Sequence, residues 1–120
     1  MPSRVDHLAA SVANEALSAR LAEMKEYGWS ITCLFYSLLH LVEAYLQEHN
    51  APSGNHGERN NRIRLQPALS SIHRRYVLLK HESENARYEC RSFNAGESSY
   101  LRDSIYMPVA THVRSLLGVN

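Results

Sequence analysis

The sequence has little with which to staple or anchor itself. Its two cysteines, Cys33 and Cys90, each lack a second cysteine at ligand spacing, so no zinc knuckle or dithiol redox motif is readable. Each reads as a small buried hydrophobe in a chain suited to a reducing compartment. Charge of one sign is not in excess. The 13 basic and 12 acidic residues leave +1 with histidine neutral, so overall charge gives no argument for nucleic acid. No run approaches the roughly 20 apolar residues that span a bilayer. The opening MPSRVDHLAASVANEA mixes Asp6, His7, Asn14 and Glu15 among its apolar residues and forms no secretory core. The chain therefore reads as cytoplasmic, with no membrane segment. Repeats, low-complexity tracts and period-two alternation are absent too, and glycine and proline concentrate only in Asn50 to Gly57.

What is present is helical pattern in 120 residues, the size of one domain with a real core. Ser3 is placed to cap a first helix, in which Val5, Leu8, Val12, Ala16 and Ala19 recur at three and four. It runs to about Glu26, and Tyr27 with Gly28 ends it. Ser30 caps a second helix, Ile31 to about His49. A short helical turn covers Glu58 to Leu65. Pro67 suits the first turn of a third long helix, to about Tyr88. Ser98 or Ser99 caps a fourth, Tyr100 to about Leu117, with Gly118 after it and Pro108 kinking or splitting it. The expected fold is all-α: one domain over 1–120, an antiparallel four-helix bundle with an extra short helix in the middle connection.

The second helix is apolar on most sides but keeps a polar seam. At 100° per residue, Tyr36, His40, Glu43 and Gln47 fall within about 40° of one line. In the third helix the apolar face of Leu69, Ile72, Tyr76 and Leu79 continues through Ser83 and Arg87, which should therefore point inward. A buried charge needs a partner, and by elimination Glu43 is expected to pair with Arg87. His40, Glu43, Tyr76, Ser83 and Arg87 would then share a pocket with Tyr36. On the seam alone, a satisfied core pair that fixes helix register is the ordinary reading. A metal reading needs His56 as third ligand beside His40 and Glu43, and the expectation is no metal and no cofactor.

The run HGERNN, His56 to Asn61, follows the loop. His56 and Arg59 lie three apart at the start of a helical turn, where free backbone donors suit an anion or phosphate, and Arg62 and Arg64 add charge. A solvated basic turn is the ordinary meaning of such a run. No Walker-type glycine pattern is present, which argues against a nucleoside triphosphatase.

Taken in order, FY...H..EAYL, HGERN, Y..L...S.NARY and a last amphipathic helix resemble small prokaryotic proteins of the HEPN superfamily, from about Trp29 onward. The resemblance implies a four- to five-helix bundle that commonly forms homodimers. It implies binding of RNA or nucleotide, and for many members metal-independent ribonuclease activity in toxin–antitoxin or other defence systems. Members without the ribonuclease signature act as binding or scaffold modules. That signature is arginine, a polar residue, then three to five residues and a histidine. Arg59 with Asn60 opens it, but Arg64, Leu65 and Gln66 stand where the histidine belongs; Arg74 and Arg75 both have the length to His81, with Tyr76 in the polar place after Arg75. Seven apart, Arg74 and His81 share a helix face opposite the apolar stripe, which is either solvent or a dimer surface. On this reading His56 and Arg59 hold phosphate, Arg87 and Glu43 organise the pocket, and His81 moves a proton.

Overall fold

The computed structural model describes residues 2–120, and among them the chain is helical with no strand. Five helical rods follow one another. They are α1 (Arg4–Glu23), α2 (Tyr27–Glu48), α3 (His56–Leu65), α4 (His73–Tyr88) and a composite rod. In that last rod α5 (Ala95–Tyr100) passes through a π-helical stretch, Leu101–Tyr106, into α6 (Met107–Leu117).

Helix α2 is the centre. Nearly every side chain from Ser30 to Leu46 is buried, and α1, α4 and α6 all pack on it. Phe35, Leu38, Val42 and Leu46 are fully buried, each contributing about 1.5–3 kcal/mol by removal from water. Among the described residues α2 is the one helix long and apolar enough to cross a membrane, nearer that limit than its runs of apolar residues suggest. Most of that apolar stretch is buried against the protein's own helices.

Local chemistry moves several boundaries. Ser3 caps α1 as expected, in a reciprocal capping box with Asp6, but α1 stops at Glu23. Lys25 takes the left-handed φ of +62° that turns the chain. Tyr27 and Gly28 do not end α1; they begin α2. Gly28 is a close approach, since a Cβ there would lie 3.4 Å from the Ala86 Cβ of α4. Ser30 is no cap but an interior residue of α2, its hydroxyl donating to the Ser18 carbonyl at 2.8 Å. A cap and a tight helix contact both favour serine, so pattern alone confuses them.

Asn55 caps α3, which therefore starts at His56, two residues before the expected Glu58. Pro67 opens no helix. A turn and a 3₁₀ segment, Ser70–Ile72, intervene before α4. Asn94, in a capping box with Glu97, starts the last rod in place of Ser98 or Ser99. Pro108 neither breaks nor ends it, because the widened π-turns before it absorb the missing donor and the crowding ring. Gly118 closes it at φ +72°, the left-handed cap expected there. Of the two cysteines, Cys33 is buried and Cys90 is exposed, so the core reading fails for Cys90.

Candidate functional site

The polar seam of α2 exists, but each member has its own partner. Tyr36 accepts from Arg87 Nη1 of α4 at 2.6 Å. His40 faces His7 of α1, Nδ1 to Nδ1 at 3.0 Å. Glu43 pairs with Arg59 of α3 at 2.7 Å, with side chains only 7% and 9% exposed. The expected shared pocket is thus three separate contacts, and the expected Glu43–Arg87 pair does not form.

The reason lies in the start of α3. Beginning the helix at His56 carries Arg59 inward, where Glu43 is waiting. Arg59 Nε donates to Glu43 Oε1, and the Ser53 hydroxyl donates to the same oxygen. Arg59 Nη1 lies 3.0 Å from His56 Nδ1. Arginine is always a donor, so Nδ1 accepts and the proton of neutral His56 sits on Nε2. Burial first, then the Arg59 charge, lowers the His56 pKa. Tyr76 of α4 closes the cluster. Burial pushes its phenol up to about 12, and its oxygen has no hydrogen-bond partner although Arg59 lies beside it. Arg59 is therefore a neutralised internal cation and organises the cluster, the role expected of Arg87 and Glu43.

Arg87 needs no carboxylate because it is only half-buried. Its guanidinium lies over the rings of Tyr36 and Tyr88, 5.3 and 5.0 Å from their centroids. Two further bonds reach the Ser83 carbonyl and hydroxyl. Ser83 is fully buried, as its place on the inward face required, and its hydroxyl donates to the Lys80 carbonyl at 2.7 Å. The metal alternative finds no support in geometry, since His40 turns to His7 while Glu43 turns to Arg59. Among the described residues no three histidine, cysteine or acidic side chains converge.

A second region is open. A groove of about 730 Å³ runs along α4 and is lined by Ser71, His73, Arg74, Arg75, Val77, Leu78 and His81. Arg74 and His81 do share it, and His73 and Arg75 join them. The stretch 59–81 holds six of the 13 basic residues and no acid. Of the six, Arg59 is spent on Glu43, Arg62 reaches Glu58 at 3.6 Å and Lys80 reaches Glu84 at 3.2 Å. Among the described residues Arg64, Arg74 and Arg75 have no carboxylate within ion-pair distance, and all three are exposed. A net charge of +1 hides this segregation, because the acids lie elsewhere. The acid-free run was the signal in the sequence, and His73 was the residue passed over. His7 was passed over as well, because nothing local marks it as the partner of a histidine 33 residues away.

Chemically the groove offers cations for phosphate, an apolar wall in Val77 and Leu78, and two imidazoles, the side chain suited to proton transfer near neutral pH. No protein-family model matches the chain, and no curated protein or solved structure matches it either.

Proposed function

We propose that this protein is a HEPN-like antiparallel helical bundle that binds RNA, with the strand lying along the α4 groove. The observation that carries the reading is the acid-free stretch 59–81, which leaves Arg64, Arg74 and Arg75 without acidic partners, two of them at an open groove. Unpaired arginines hold phosphate by releasing counterions. His73 and His81 favour RNA over DNA. One imidazole would take the proton of a ribose 2′-hydroxyl as its oxygen attacks phosphorus. A second would give a proton to the departing 5′-oxygen, leaving a 2′,3′-cyclic phosphate. No metal has a part in that step. His56 and Arg59 do not line the groove; they form the buried cluster in which Glu43 holds Arg59. As a partner of a toxin–antitoxin or defence component, the bundle would act as a homodimer.

The test is fluorescence anisotropy with single-stranded RNA in chelator, with a gel run on the same samples. Arg74→Glu/Arg75→Glu is expected to weaken binding across sequences and to flatten the salt dependence by about 0.7 for each phosphate no longer neutralised. Unchanged affinity would remove the groove from the site. Chelator-resistant cleavage that His81→Ala abolishes would make the protein a ribonuclease. Binding without cleavage would make it a binding module.

A further inference from the structure

Helix α1 is built inside out. Its buried residues are His7, Ser11 and Ser18, none of them apolar, while Val5, Val12 and Leu17 stand 72, 67 and 40% exposed. Val5, Ala9, Val12, Ala16 and Ala19 recur at spacings of four, three, four and three, which puts them on one line. That line faces away from α2. The charges on this outer side lie at its ends, Asp6 near the start and Arg20 near the finish, and neither is in an ion pair among the described residues. Glu15, in the middle of the helix, is turned inward to Arg114 and Tyr106, both at 2.8 Å.

We propose that this face binds the same face of a second copy, α1 against α1, antiparallel and centred on Ala13. The pattern is self-complementary about that point. Asp6 and Arg20 are equally far from Ala13, so each Asp6 meets the second copy's Arg20 at both ends of the pair. Ala9 and Leu17 are also equally far from Ala13, so a large side chain meets a small one. Ala13 meets itself, which lets the two backbones close to the short end of helix packing distances. A lipid surface is the poorer fit. Helices that lie on membranes are flanked by several basic residues, and this face has one, Arg20, with an acid at each end, Asp6 and Glu23. None of the groove residues lies on α1, so each copy keeps a complete groove outside the interface. The pairing does not rest on the RNA reading, and its measurement is separate.

Sedimentation equilibrium on the full chain tests it, beside Val12→Glu, Asp6→Arg, Arg20→Asp and the double swap Asp6→Arg/Arg20→Asp. The wild type is expected to be a dimer. Val12→Glu should weaken it by at least about tenfold. Each single charge change should weaken it, and the double swap should restore it. Val12 and Arg20 are exposed, so circular dichroism should show unchanged helix in their variants. Asp6 also closes the capping box with Ser3, so if an Asp6 variant loses helix, Val12→Glu and Arg20→Asp decide. Ala13→Cys in a Cys90→Ser background should form an intermolecular disulfide, which fixes the antiparallel register. A wild type that stays monomeric to ~100 μM overturns the proposal. So does a dimer indifferent to Val12→Glu, or a monomer whose Val12-dependent binding is to phospholipid vesicles.

Discussion

On one flank α2 presents Phe35, with its ring 5.6 Å from that of Tyr76 on α4, and Glu43, bound to Arg59 on α3. On the other it presents Ser30, Ser37 and His40 to Ser18, Ser11 and His7 of α1. The first flank works by volume and by one buried ion pair. The second works by contacts between small hydroxyls: Ser18, Ser30 and Ser37 each donate to a carbonyl of the facing helix, and Ser11 meets the Ser37 hydroxyl. Serine pairs bury almost no apolar area, so they fix where α1 sits more than how tightly it is held. Polar matching positions α1, while burial drives the rest of the fold. Leu8 packs against the core, which leaves Val5, Val12 and Leu17 of α1 free for another surface.

The contrast between the flanks should show first at Glu43. Glu43→Ala leaves Arg59 buried without a counter-charge and should cost about 3–5 kcal/mol in chemical denaturation. A double-mutant cycle should show strong coupling between Glu43 and Arg59 and almost none between Glu43 and Arg87. Coupling to Arg87 in place of Arg59 would reverse the pairing. The α1 flank should respond more weakly. Ser18→Ala removes one hydroxyl pair and is expected to cost about 1–2 kcal/mol, read from the urea midpoint. A loss as large as that at Glu43 would make the two flanks equivalent.

A pH dependence of the α1 flank should be smaller still. Burial lowers the pKa of both His7 and His40, with Glu43 and Asp6 opposing at His7, Glu43 opposing at His40 and Arg59 adding to the lowering at both. A depressed histidine binds its proton more readily in the unfolded chain. The stability it contributes is therefore complete above the unfolded value of about 6.5 and is lost as pH falls from there through the folded value. Urea midpoints should fall between about pH 7.5 and pH 5.5, and fall less in His7→Gln/His40→Gln. An equal fall in that variant would place the titrating group elsewhere, with His56, also lowered, the next to replace.

Periodicity made much of this legible. It marked α2 as central, laid Tyr36, His40 and Glu43 on one seam, and turned Ser83 inward. It put Arg74 and His81 on one face. What it missed were choices of partner. Arg59 sits in a basic run, and a basic run ordinarily means solvent. Only folding brings it to a carboxylate 16 residues earlier. His7 and His40 are a match between helices with no trace in either one alone. Val5 and Val12 carry a sound helical pattern, but a pattern names a face and not what that face touches. The groove was within reach, since the missing acids from 59 to 81 can be read without coordinates, and a near-zero total concealed them.

The π-helical stretch Leu101–Tyr106 changes the residue count of the last rod. Hydrogen bonds that reach five residues use one more residue than an α-helix needs for the same path. That extra residue advances everything after it by about 100° around the rod axis. It is the reason Val109, Val113 and Leu117 turn inward while Pro108 stays exposed, and the reason Arg114 reaches Glu15. The last helix owes its orientation to a length of chain, so a one-residue deletion in that stretch would rotate its faces without altering a single side chain of α6.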